Sequence, residues 1–286
     1  MRRKVYFTNS RGETILIDGH VKPLLLSRLE GTGGSPVEVQ MQKAPYQDGE
    51  TYIDSLLGPR YLSIEGLIWA TKQGAVLDRR QRLARVFNPS LGLGTFRLEL
   101  GNTVYEIDAA VDSPVAFPDR TSKPIQSFAV SLVCPDPAWR EPTDETWTLA
   151  SFVGGFSFPF SFPLSFGTVG QELDIENKGD MESPVLIRMT GPLTNPVLEN
   201  VTTGQRITIT REIQGGETLE INTAFGQKSV TIVSASGSRS NGFHYVSPSS
   251  EFWGLIPGLN TVSYAATEES ANSSVTLSFY HRYSGV

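Results

Sequence analysis

Apolar residues recur at every second position in segment after segment of this chain, and a period of two commits those segments to strands with one buried face. In residues 61–69, Leu62, Ile64 and Ile68 share a face. Tyr105, Ile107, Ala109 and Val111 lie opposite Glu106 and Asp108, and Phe128, Val130 and Leu132 alternate with Ser127 and Ser131. Composition agrees: 27 glycines and 18 prolines against 4 methionines favour strands and tight turns over long helices. The fold class is therefore mainly β.

One segment breaks the period. Residues 75–87 space Val76, Leu77, Leu83, Ala84 and Phe87 along a helical stripe, with Arg79, Arg80, Arg82 and Arg85 covering much of the remainder. Asn88-Pro89 ends it, because the residue before proline is pushed out of helical angles. Ahead of this helix, residues 46–52 (Tyr-Gln-Asp-Gly-Glu-Thr-Tyr) form an aromatic, acidic, turn-rich stretch with Asp48-Gly49 suited to a hairpin tip. It reads either as an exposed β-hairpin or as an arm that reaches a neighbouring subunit.

At 286 residues, 39% of them hydrophobic, the chain suits two domains, each with its own core. Cys134-Pro135-Asp136-Pro137-Ala138-Trp139 closes the first half, and residues 152–166 then alternate Phe with Ser or Pro. Prolines keep that run out of central strands, while its aromatic content is wrong for a solvated linker. The division is a first domain over 1–150, a connector over 151–166 and a second domain over 167–286. In the last, short strands at 184–189, 206–210, 218–222, 229–233, 261–265 and 274–280, punctuated by glycine and proline turns, predict an antiparallel sandwich.

A net charge of −6 argues against general nucleic-acid binding and a polybasic membrane anchor. No apolar run approaches the roughly 18 residues of a membrane-spanning helix. The charged, soon polar N-terminus predicts a protein made in a cytoplasm and not exported by the general secretory route. A single cysteine, Cys134, permits no internal disulfide and suits a buried packing role. His20, His244 and His281 lie apart, without ligand spacing, so no metal or cofactor is expected. Gly31-Thr32-Gly33-Gly34 and Gly92-Leu93-Gly94 complete no phosphate-binding motif, and Glu268-Glu269 reads as an exposed loop. No catalytic residue is assigned, and the expectation is a non-enzyme. Tyr245, Phe252 and Trp253 could stack sugar rings, or they could be core and turn.

Several of these segments, taken in order, resemble a known family. Asp48-Gly49-Glu50-Thr51 through Leu62-Ser63-Ile64-Glu65-Gly66, the arginine-rich helix ending Phe87-Asn88-Pro89, Gly92-Leu93-Gly94 and Cys134-Pro135-Asp136-Pro137-Ala138-Trp139 resemble the first domain of siphovirus distal tail proteins. Asn177-Lys178-Gly179, Pro184-Val185-Leu186-Ile187-Arg188, Gly191-Pro192 and the run from Phe252 to Asn260 resemble that family's C-terminal galectin-like domain. The resemblance spans nearly the whole chain, which has no room for the carbohydrate-binding module that some relatives insert.

It implies a β-sandwich or barrel-like ring domain with one helix and an extended hairpin, followed by a galectin-like sandwich. It also implies a homo-hexameric ring at the virion tail tip, assembled in the bacterial host cytoplasm. The ring would join the tail tube protein to the tail-associated hub or lysin, dock receptor-binding proteins and pass viral DNA without binding it. Tyr46, Asp48 and Tyr52 with Arg79, Arg80, Arg82 and Arg85 are the expected ring contacts, and Asp48, Glu50 and Asp54 the expected channel lining. Two other readings remain open: a carbohydrate-binding adhesion module using Tyr245 and Trp253 on host cell-wall glycans, and a cell-wall hydrolase fragment.

Overall fold

The structure is a computed structural model that describes residues 3–118, 125–149, 171–269 and 273–286. The Phe/Pro/Ser run at 152–166 lies outside the described residues. Two compact units emerge: Met1–Pro142 with Tyr283–Val286, and Thr143–Arg282.

The first unit runs β1 (Arg3–Thr8), β2 (Thr14–Asp18), β3 (Leu24–Glu30), β4 (Val37–Gln42), β5 (Thr51–Leu57), β6 (Arg60–Trp69), α1 (Gln73–Val86), β7 (Leu93–Leu100), β8 (Thr103–Ala116), β9 (Ile125–Cys134) and β10 (Trp139–Arg140). Strand order β8-β7-β1-β2-β3-β6-β9, with β9 pairing back to β8, closes the sheet on itself. A closed sheet has no unpaired edge, so this is a barrel and not an open layer. Inward positions follow the period of two: Val5 and Phe7, Leu62, Ile64 and Ile68, Ile107 and Ala109, and Phe128, Val130 and Leu132 are all buried. Gly66 also sits on the inward face of β6. A Cβ there would stand 2.5 Å from Phe128 Cζ and 2.6 Å from Leu25 O, so the phenylalanine ring occupies the space glycine leaves.

Helix α1 contributes Val76, Leu83 and Val86 to the barrel core, and Phe87 follows to stack on Phe7 at 4.8 Å. The expected stripe is corrected in two places: Leu77 is 56% exposed, and Ala84 is exposed as well. The buried contact is narrower than the sequence stripe, and Val86 occupies the place assigned to Ala84. Leu83→Ala removes a fully buried side chain and is expected to lower stability by about 2–5 kcal/mol in urea denaturation.

Among the described residues, Arg60 is the one arginine in the core. It occupies the inward phase of β6, two residues before Leu62, and is 1% exposed. Its guanidinium donates to Pro137 O at 2.8 Å, Gly31 O at 2.7 Å, Ser284 O at 2.5 Å and Gly33 O. Burial lowers its pKa, but an arginine starts so high that it stays charged. Four backbone carbonyls thus replace a counter-ion and bind the β3–β4 loop, the Pro137 turn and the chain's last residues to one side chain.

Opposite Arg60 on β9 lies Cys134, fully buried as expected, its thiol pushed up to about 12 by burial. The thiolate is the nucleophile, so this sulfur is expected to be inert to Ellman's reagent in the native protein and to react fully after unfolding.

The second unit comprises β11 (Glu145–Leu149), β12 (Gln171–Asn177), β13 (Ser183–Thr190), β14 (Leu193–Thr194), β15 (Val197–Asn200), β16 (Gln205–Thr208), β17 (Glu212–Ile213), β18 (Thr218–Asn222), β19 (Ser229–Val233), β20 (Arg239–Asn241), β21 (Gly254–Leu255), β22 (Gly258–Ala265), β23 (Glu268–Glu269) and β24 (Ser274–Phe279). One sheet is ordered β11-β24-β13-β18-β19-β20 and another β12-β22-β15-β16. Ile187, Leu219, Ile221 and Leu277 from the first share one core with Ile175, Leu198, Ile207 and Val262 from the second, which makes the unit an antiparallel sandwich. Glu268-Glu269, expected in a loop, forms the short strand β23 against β14.

The division between units falls earlier than residue 150. Strand β11 pairs with β24 from Glu145↔Phe279 to Leu149↔Val275, so 143–149 belongs to the sandwich.

Three buried asparagines explain motifs singled out in the second half. Asn177 donates to Leu255 O at 2.9 Å, and Asn200 to Gly254 O at 3.1 Å. Asn260 donates to Ile256 O at 2.8 Å and accepts from Ile256 N at 3.0 Å. Their buried amides satisfy backbone groups of the Trp253–Asn260 turn at its inner end, where Gly254 and Leu255 are buried.

Candidate assembly interface

Strands β4 and β5 form a two-stranded sheet of their own, joined by residues 43–50. Every residue of both strands is exposed. Tyr46 and Gly49 take positive φ in the connection, at 62° and 75°, which lets the chain reverse there.

Cross-strand partners share a face, so the register assigns the side chains. Val37↔Leu57 and Val39↔Ser55 fall on one face, Glu38↔Leu56 and Gln40↔Asp54 on the other. The register then shifts by one, leaving Ile53 without an opposite residue and setting Tyr52 against Met41. The bulge therefore gathers Val37, Val39, Met41, Tyr52 and Leu57 with Ser55 on one face, while Glu38, Gln40 and Asp54 line the other beside a single large apolar residue, Leu56.

An isolated hairpin is marginal in water. This one also presents Val39, Met41 and Tyr52 at 47%, 54% and 61% exposure, with Tyr46 at its end fully exposed. Exposed apolar surface concentrated on a projecting ribbon marks a contact surface.

The arm residues expected at ring contacts, Tyr46, Asp48 and Tyr52, all lie on this ribbon and are all exposed, as are Glu50 and Asp54. The strand residues Val37, Val39, Met41 and Leu57 went unnamed in the sequence reading, though Val-Glu-Val-Gln-Met already carried the period of two.

The helix arginines are partly committed within the subunit. Arg79 donates to Trp69 O at 2.7 Å, Arg80 lies 4.4 Å over the Phe117 ring, Arg82 reaches Thr14 O at 3.4 Å and Arg85 pairs with Glu13 at 3.1 Å. They tie α1 to the barrel and keep their remaining N–H groups at the surface.

The sugar-stacking pair does not stand. Trp253 is 1% exposed within the sandwich core, so neither ring face can meet a sugar. Tyr245 is half-buried, with the Arg211 guanidinium 4.8 Å over its ring. His281 is spent internally, its Nε2 3.0 Å from Glu145 Oε2 and its Nδ1 accepting from Lys178 N at 3.2 Å. Among the described residues, no group of three or more His, Cys, Asp or Glu side chains could hold a metal, and no helix is long and apolar enough to cross a membrane.

A closed barrel carrying one helix and a projecting apolar ribbon, followed by an antiparallel sandwich, defines a two-domain β protein. Two family models match it. Residues 12–134 match the phage tail protein RIFT-related domain, and residues 178–283 match the C-terminal domain of the siphovirus-type tail component. The chain belongs to the siphovirus-type tail component family and is a component of a virion tail.

Solved structures share the fold across the full length. The SPP1 Dit protein, described as a paradigm of the hub adsorption apparatus in Gram-positive infecting phages, superposes with a TM-score of 0.69 at 11% identity, covering 98% of each chain. A chain of the phage P2 baseplate in its activated conformation with Ca gives 0.56 at 10% identity, covering 100% of each. The phage p2 baseplate activated with Sr gives 0.53 at 11%, covering 97% of this chain and 98% of that one. A sequence search among curated proteins found no match.

Proposed function

We propose that this protein is a distal tail subunit, closing head to tail into a homo-hexameric ring at the virion tail tip. The ring joins the tail tube protein to the tail-associated hub or lysin protein, docks receptor-binding proteins and leaves a channel for viral DNA. Its role is structural and needs no turnover of substrate. Assembly takes place in the host cytoplasm before the virion is released.

The observation that carries this reading is the β4–β5 arm. A closed ring requires two different complementary surfaces on each subunit, and an apolar ribbon projecting from a barrel supplies one of them. A lasting joint buries on the order of 2,000 Å² or more, which an exposed arm reaches more readily than a flat barrel wall.

The two-faced arm also suits a channel. With its more apolar face against a neighbour, the face bearing Glu38, Gln40 and Asp54, with Leu56 among them, is left to water. A neutral or acidic lining lets phosphate slide past where a basic one would hold it.

Negative-stain microscopy of the purified protein is expected to show six-fold rings with a central hole, and peptidoglycan zymography to show no clearing. Monomers at every concentration, or a cleared zymogram, would count against the proposal.

A further inference from the structure

Between β2, the β2–β3 turn and helix α1 lies a cleft of about 210 Å³. Ile15, Leu16, Val21, Pro23 and Leu24 give it an apolar floor, and Lys22, Arg79 and Arg82 stand on its rim. Trp69, about a third exposed, flanks it with Lys22 Nζ 4.0 Å over its ring. Asp18 also lines the cleft, but its Oδ1 accepts from the backbone N–H groups of His20 and Val21 at 2.8 and 3.2 Å. Arg79 and Arg82 each spend one N–H on a backbone carbonyl of their own subunit. A guanidinium has five such donors, so both can still receive a carboxylate.

The arm has the opposite character. Over residues 37–57 it carries Glu38, Asp48, Glu50 and Asp54 against Lys43 alone, four acids less one base, or −3. Helix α1 carries Arg79, Arg80, Arg82 and Arg85 against Asp78, four bases less one acid, or +3. At the arm's end Tyr46 projects fully into solvent with Asp48 and Glu50 beside it. Apolar cavities of about 150 Å³ accept a benzene ring, so the cleft has room for one aromatic side chain.

We infer that the arm tip of one copy docks in the α1 cleft of the next, the Tyr46 ring on the apolar floor and Asp48 and Glu50 against Arg79, Arg82 and Lys22. This rests on the ring reading and specifies its heterologous contact, since tip and cleft are different surfaces of one chain. It assigns Asp48 and Glu50 to the joint and leaves Asp54 with Glu38 for the channel. Charge complementarity then sets the register between copies and speeds their encounter.

The native cysteine is buried, so introduced thiols report alone. Differently tagged full-length variants D48C and R82C are mixed and treated with a short bismaleimide. Cross-linked heterodimers are expected from the mixture, and none from either variant alone. Neutralising the tip by Asp48→Asn with Glu50→Gln should weaken association about tenfold at low salt and remove most of its salt dependence. Rings without any cross-link would overturn the docking while sparing the ring, and would free the cleft for another tail protein. D48C joining to itself would also overturn it, because that contact is two-fold. Protein that stays monomeric at every concentration would fell the ring reading beneath it.

Discussion

Arg60→Met is expected to destabilise the first unit by about 4 kcal/mol or more. A hydrogen bond to a charged group contributes about 1.5–3 kcal/mol, and Arg60 makes four. The four contributions do not add in full, because water reaches some carbonyls once the guanidinium is gone. The methionine keeps the apolar stem but strands the carbonyls of Gly31, Gly33, Pro137 and Ser284 around a side chain that cannot donate.

Arg60→Lys separates charge from geometry. An ammonium keeps the charge but lacks the planar fork that reaches carbonyls on several sides, so the lysine should recover less than half of the loss. Urea denaturation at unchanged m-value provides the measurement.

Removal of Tyr283–Val286 should be strongly non-additive with Arg60→Met. The same tail supplies Ser284 O, the Tyr283 Oη bond to Glu141 at 2.6 Å and the Val286 N bond to Thr32 O at 2.9 Å. Additive losses, or an Arg60→Met cost below about 1 kcal/mol, would show that Arg60 does not tie these segments together.

The second large effect is on assembly and leaves the subunit intact. Val39→Asp with Met41→Asp puts two charges on the apolar face of the arm, where both side chains are about half exposed. Within the subunit these positions pack on little, so monomer stability should move by no more than about 0.5 kcal/mol each. At a ring joint the same charges are desolvated against a neighbour, and losses of about 2–4 kcal/mol per interface follow, enough to turn rings into monomers. Sedimentation velocity paired with a denaturation curve separates the two. Intact rings would sink the assignment of this face, and a large loss of monomer stability would show that it packs inside the subunit.

Much of the architecture was legible because the signals are local. Six strands expected in the second half occur within a few residues of their positions, since alternation and flanking turns are properties of the segment itself. The arginine-rich helix formed where its period and its Asn-Pro stop placed it, at Gln73–Val86. Errors arose where a pattern admits two partners. Leu77 and Ala84 fit a helical stripe as well as Val86 does, and only the packing of α1 on the barrel left the first two exposed and Val86 buried. Residues 145–149 follow the first domain in sequence, but pairing with Val275–Phe279 assigns them to the sandwich. Trp253 fits in sequence either a sugar platform or a core position, and burial decided for the core.

The sequence by itself determined the class of the protein: strands, one helix, two domains and an exposed acidic turn, all written in neighbouring residues. Only the tertiary structure decided that the first sheet closes, because closure depends on β8 meeting β9 as well as β7. It alone showed that Arg60 draws together segments 224 positions apart in the chain, from Arg60 to Ser284. It alone brought Tyr52 onto the face that Val39 and Met41 share, through a one-residue bulge that no alternation pattern announces. Periodicity fixes which way a side chain points from its own strand; what it points at is set by partners far along the chain.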